Sequence, residues 1–313
     1  GAIQMSGARP TWYKPDVGLS MRMLLTIFLL GAVYVVFGGV LWYVGIPPVL
    51  LIAVAALIAF VQFFYADKIA LFSMRAREVS EAEAPQLHEM IGRLAAQANL
   101  PKPRVAIVNT TVPNAFATGR SKNHAVVAVT TGIMDKLSPQ ELEAVLAHEL
   151  THIINRDMLV MTIAAFFSIV AGLIVRNFFW FGGGFGGGYG RRNNDNQGAV
   201  LAIILLVSLA VYAVSFLLIR ALSRYRELAA DRGSALITGD PSHLASALVR
   251  ISNDMPRIPD KDFRQAQTVN ALWIVPALKG NSAMSLLSTH PSTEERVRRL
   301  QQMQLDMEKS QRF

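Results

Sequence analysis

The sequence predicts a mainly α-helical protein with a small β-sheet, joined to four transmembrane helices. Three observations predict it. Four apolar runs approach the ~20 residues that a bilayer-crossing helix needs. Charged residues make up only 17% of the chain, against 52% hydrophobic ones, where a soluble chain carries about a quarter charged. Short runs of strand-like alternation sit between helical segments in the polar remainder.

The first two apolar runs, Met23–Val44 and Val49–Tyr65, are separated only by Gly45, Ile46, Pro47 and Pro48. They predict a tight transmembrane hairpin over residues 21–66, preceded by an N-terminal tail at 1–20. The second pair, Met158–Val175 and Val200–Ile219, predicts a hairpin over 158–219 with a glycine-rich linker at 181–198. These two helices also fit a buried pair on a membrane-associated domain. The linker composition is that of a flexible connector. With two spans between them, the polar regions 67–157 and 220–313 lie on the same side and are expected to form one domain. Lys and Arg concentrate there, so the positive-inside rule places that domain in the cytoplasm, on a multi-pass protein of the cell membrane.

The net charge of +8 fits that placement. Without interleaved basic and aromatic residues, a nucleic-acid partner is not expected. The chain has no cysteine, so any metal must be held by His and carboxylate.

Within 67–157, a helix is expected from Glu83 to Ala98, ended by Asn99 and Pro101. Extended stretches follow at Arg104–Asn109, Asn114–Gly119 and His124–Gly132. Ser138-Pro139-Gln140-Glu141 then reads as a capping box with Pro at the first helical position. The helix it opens is expected to run on into the third span.

That helix carries His148-Glu149-Leu150-Thr151-His152, the HExxH pattern. Positions i and i+4 share a face one turn apart, so both imidazoles can reach one zinc ion. Glu149, next to the first ligand, is placed to take a proton from the attacking water. A catalytic zinc needs a third protein ligand. Arg226-Glu227-Leu228-Ala229-Ala230-Asp231 is the expected source, with Glu227 on the metal. Asp231 shares its face and can accept a hydrogen bond from the far nitrogen of a ligand histidine. His152 lies about six residues before one span and Glu227 about seven after another, which puts the metal about 10 Å from the membrane surface. Substrates are therefore expected to be membrane proteins or peptides held close to the lipid bilayer.

Four motifs in order, Pro113–Gly119 (PNAFATG), Ala147–Asp157 (AHELTHIINRD), Arg226–Asp231 (RELAAD) and Ser288–Leu300 (STHPSTEERVRRL), resemble the HtpX family of membrane metallopeptidases. That family is related to the CaaX prenyl proteases and to the mitochondrial protease OMA. The resemblance implies a gluzincin-type catalytic domain, one Zn2+ per chain, and cleavage of misfolded or damaged membrane proteins during stress. It also implies that His290 and Arg296 steady the transition state.

An exposed strand edge can pair with an extended peptide backbone. Asn114, Ala115, Phe116 and Ala117 are the expected edge, although an ordinary hairpin strand reads the same way. Leu272–Leu278 is apolar and could line a substrate groove, but core packing is the expected role. A protease cutting inside the bilayer is disfavoured, because the charged residues of ELE and NRD flank HExxH. A catalytically inert scaffold is disfavoured by the intact Glu149.

Overall fold

The computed structural model describes residues 17–43, 48–180, 196–254 and 290–311. The first hairpin's tip, the glycine-rich linker, most of the N-terminal tail and Leu272–Leu278 lie outside the described residues.

Helix α1 (Val17–Tyr43) and helix α8 (Asn196–Thr238) are both long and apolar enough to cross a membrane. Helix α2 (Pro48–Phe64) passes that test only with the short α3 (Ala66–Met74), from which it is bent by 67°. Helix α7 (Asp157–Trp180) passes it as two parts bent by 40°. Among the described residues there are thus two membrane-length apolar helices, or up to four if each bent pair is one span. In the bundle α1 lies along α8 and α2 along α7. Its interior holds Phe37, Leu41, Ala55, Val170, Ala171 and Val211. Phe28, Val35, Trp42 and Leu206 stay more than 60% exposed on its outside. An apolar belt of that kind is what a bilayer covers.

The remaining elements build the polar half. A four-stranded mixed sheet runs in the order β1 (Arg77–Glu78), β2 (Arg104–Val108), β4 (Val126–Thr130), β3 (Ala115–Thr118). Strand β2 pairs parallel to β4, and β3 pairs antiparallel to β4 with Ala117 opposite Val127. Every residue of β4 is buried, as expected for a central strand covered on both faces. Strand β3 has no neighbour on its other side among the described residues.

Helix α4 (Pro85–Gln97) starts two residues later than expected, because Pro85 takes the first turn. It ends where Asn99 turns left-handed (φ 52°). Its apolar face, Leu87, Ile91, Leu94 and Ala95, is buried against the core below the sheet. Short α5 (Thr131–Lys136) was not expected; Thr130 caps it by accepting from the Ile133 amide. Helix α6 (Pro139–Ile154) carries the expected capping box at both contacts. Its Glu141 is buried, and there it also accepts from Ser246 Oγ on α9 (Pro241–Asp254) at 2.6 Å. The capping carboxylate therefore doubles as the tie between α6 and α9. Helix α10 (Thr293–Gln311) packs on α9 and α8.

One sequence expectation is corrected here. Helix α6 does not run on into the next apolar helix. It stops at Asn155, and Arg156 adopts a left-handed φ of 55° before α7 begins. For a residue with a Cβ that conformation costs about 1 kcal/mol. It re-aims the chain so that Asp157 returns to the face of His152.

Candidate active site

Helices α6 and α8 cross in close contact, and their crossing positions the site. Gly233, in mid-α8, marks the closest approach: a Cβ there would sit 2.3 Å from the Thr151 side chain, inside HExxH. Glycine within a helix costs about 1 kcal/mol relative to alanine; here it makes room for the Thr151 side chain. One residue on, Ser234 Oγ donates to the Ala144 carbonyl at 2.7 Å, locking the register of the pair. Gly233→Ala is therefore expected to push α8 off α6, lowering Tm and bound metal together. A variant with wild-type Tm and metal content would show the crossing to be tolerant.

The crossing brings together His148, His152 and Glu227, whose ligating atoms all lie within 4.8 Å of one another. His148 Nε2 and His152 Nε2 are 3.2 Å apart. Glu227 Oε2 lies 3.6 Å from the first and Oε1 3.4 Å from the second. Donors bound tetrahedrally at ~2.0–2.1 Å are about 3.3 Å apart, so this spacing fits one small cation. The rings stand nearly perpendicular, at 89°, with both nitrogens turned to the same point.

Each imidazole has a carboxylate behind it. His148 Nδ1 lies 3.0 Å from Asp231 Oδ1, close though bent from ideal alignment. His152 Nδ1 lies 2.5 Å from Asp157 Oδ2. The first partner was expected. The second was missed: it sits past the helix break, and only the left-handed Arg156 brings it back. Arg226 holds Asp157 in turn, at 2.9 Å.

Glu149 is buried beside the histidines and accepts from the Ala117 amide at 2.9 Å. Burial pushes its carboxyl above the ordinary value of 4.5; the imidazoles of His148 and His152 oppose this, and Glu227 reinforces it. His148 is buried too, which by itself would lower its pKa, but Asp231 and Glu227 raise it to about 9.

His290 lines the cleft, with Nδ1 3.2 Å from Glu227 Oε2. Arg296 is turned to the acidic side chains. It is 1% exposed, and its fork grips Asp231 through Nε (2.9 Å) and Nη2 (2.7 Å). Its Nη1 lies 3.8 Å from Glu227, and it is not among the residues lining the cleft. The guanidinium thus faces the carboxylates rather than the space a substrate would occupy.

The cleft has a volume of about 250 Å³. Ala115, Phe116 and Ala117 of β3 form one wall, and Met158, Leu159 and Met161 at the start of α7 form an apolar lip. Asn114 is fully buried and is not among the residues that line the cleft; its backbone N–H donates to Thr130 Oγ1 at the start of β3.

Residues 81–304 match the model of peptidase family M48. The chain is 56% identical over 293 residues to a protein named protease HtpX homolog from Moorella thermoacetica, covering 94% of this chain and 97% of that one. It is likewise 56% identical over 295 residues to protease HtpX homolog 2 from Methanosarcina acetivorans, covering 94% and 98%. The crystal structure of Ste24p from S. mikatae aligns over 91% of this chain and 66% of that one, with a TM-score of 0.48 and 16% identity. With the family model matching most of the chain and a His-His-Glu cluster spaced for a metal at its centre, the chain belongs to peptidase family M48 and is a metalloprotease.

Proposed function

We propose that the protein is a membrane-bound zinc endopeptidase that cleaves misfolded or damaged membrane proteins, a quality-control role under stress. One zinc per chain is held by His148, His152 and Glu227, and the catalytic half faces the cytoplasm. The observation that carries this reading is the spacing of three donors, 3.2–3.6 Å apart, directly beside the buried Glu149. Charge supports it as well. One divalent cation and the Arg296 guanidinium together neutralise Glu227, Asp231 and Glu149. The donor set of two imidazoles and a carboxylate is one that zinc accepts in catalytic sites.

A cation bound there supplies Lewis-acid activation of water and of the scissile carbonyl. The chain's own residues do the rest. Asp231 and Asp157 hold the two imidazoles so that Nε2 of each points into the site. Glu149 takes the proton of the attacking water and later delivers it to the leaving amine. His290, on the cleft wall, is the candidate donor to the oxyanion. Arg296 is a positioning residue that keeps Asp231 and Glu227 ionised and in place.

Strand β3 offers its outer edge, which pairs with no strand among the described residues, to an extended peptide. The Ala117 amide points away from β4, toward Glu149, so a chain added at that edge lies across the base. Backbone pairing of this kind places few demands on side chains, which suits substrates recognised by being unfolded.

Removal and return of metal tests the reading. Chelation should abolish hydrolysis of an unfolded membrane protein, and one equivalent of zinc should restore it. A zinc-replete enzyme without turnover would sink the proposal. The pH dependence follows from His148. Its imidazole must be neutral to serve as a ligand, and in the metal-free protein it stays protonated up to about pH 9. Zinc affinity is therefore expected to rise about tenfold per pH unit between 7 and 9, read by competition titration. Stability of the metal-free fold runs the other way. The raised pKa contributes stability that is full below pH 6.5 and is lost as pH rises through about 9.

A further inference from the structure

The proposed function leaves unexplained the short helix α3. Nine residues make it about 13 Å long, far too short to cross a bilayer. One face is committed to the catalytic half: Ala66, Ala70 and Met74 are buried, and the last two belong to the core beneath the sheet. Asp67 on the same helix pairs with Arg104 of β2 at 2.5 Å. The opposite face carries Tyr65, Ile69 and Phe72, spaced at i, i+4 and i+7. These are 48%, 46% and 87% exposed. With Val61 of α2 they line a shallow apolar surface groove. A phenylalanine so exposed, set in a continuous apolar strip, marks an interaction surface.

Two observations identify the partner. The strip is continuous with α2, whose exposed Leu57 and Phe60 belong to the apolar belt of the bundle. And basic side chains border the strip. Lys68 is exposed with its ammonium 5.5 Å from the Tyr65 ring, and exposed Arg75 caps the helix. Aromatic rings beside long basic side chains suit the boundary between acyl chains and headgroups.

We propose that α3 is an interfacial foot. After the 67° bend it lies along the bilayer surface with Tyr65, Ile69 and Phe72 in the lipid, and Lys68 and Arg75 at the phosphate level. The foot sets the height of the site. Helix α3 packs on β3, and the Arg120 guanidinium just past β3 lies 5.5 Å over the Phe64 ring at the end of α2. The substrate edge is thereby held at headgroup level, with the apolar lip of the cleft turned to chains emerging from the membrane. This inference rests on the membrane-bound reading, but not on catalysis.

Because the chain has no cysteine, single labels test the placement without background. Ile69→Cys and Phe72→Cys would carry a nitroxide in the full chain reconstituted into phospholipid nanodiscs. Collision with oxygen and with a water-soluble nickel chelate reads depth, with Phe28→Cys as the membrane reference and Gln301→Cys as the aqueous one. Both labels should show an oxygen-to-nickel ratio about threefold above the aqueous reference yet below the membrane one, as for a helix lying in the interface. A ratio equal to the aqueous reference would place α3 in water and overturn the proposal. So would protection from both quenchers, which would put a second protein surface on the strip. A ratio matching Phe28→Cys would make α3 part of a span and would overturn it equally. Loss of protease activity in any label leaves the depth measurement intact, so this test is separable from the one for catalysis.

Discussion

Glu149→Gln is expected to lower peptide hydrolysis by about 10²–10⁴-fold while bound metal stays near one equivalent. The side chain is buried, and its Oε2 accepts from the Ala117 amide. Glutamine keeps that acceptor and nearly the same volume, so the edge strand and both histidines stay in place. What is lost is the ability to take a proton. The same change should stabilise the metal-free protein at neutral pH. Burial raises the Glu149 pKa above 4.5, so the ionised form is the costlier one in the fold. Its penalty is absent below the ordinary pKa and grows as pH rises from there toward the folded value. The Tm of the metal-free variant should therefore exceed wild type at pH 7, and the two should converge near pH 4. Active sites commonly trade stability for function in this way. Hydrolysis at the wild-type rate in the variant would remove Glu149 as base. Loss of metal along with activity would assign it to structure.

The metal cluster was legible because HExxH needs only local geometry: two imidazoles one turn apart on a capped helix. Glu227 was legible from its paired carboxylate at i+4 and its place after an apolar run. Three features were not. Asp157 follows His152 by five residues, a spacing that faces away on a continuous helix; only the reversal at Arg156 recruits it. Gly233 is an unremarkable helix glycine in the sequence, and only the packing of α6 against it gives it a role. Helix α3 was not expected: the apolar run ends at Tyr65, and nothing in hydropathy marks a further helix set at a 67° bend. The position of β3 at the sheet edge was expected, but Asn114 was not separable from it. An Asn before a strand reads the same whether it meets substrate or, as here, is buried with its amide on Thr130. The apolar helices were readable as composition. How many are long enough to cross a membrane was not, because two of the four runs meet that length only as bent pairs of helices among the described residues.

Replacing Arg296 carries the largest expected effect on the fold. The sequence motif suggested a donor to the transition state. The structure gives it two contacts to Asp231 and a third, longer approach to Glu227, at 1% exposure. Arg296→Met removes the permanently charged guanidinium that lies against the Asp231 and Glu227 carboxylates. Breaking a buried pair from one side typically costs about 3–5 kcal/mol, because the remaining charge has no partner. A fall in Tm of roughly 10 °C is expected for the metal-free protein, with a smaller fall when zinc is bound and neutralises part of the charge. Zinc affinity should change too, since Asp231 no longer holds the His148 ring. Adding Asp231→Asn should recover part of the stability, because the orphaned charge is gone, without recovering turnover. The opposite pattern identifies the other role. If the single variant keeps wild-type Tm and full zinc but loses ~10²–10³ in kcat alone, the guanidinium acts on the oxyanion. The clamp is then secondary. With two of its three nitrogens already committed to Asp231, the charge balance favours the first pattern.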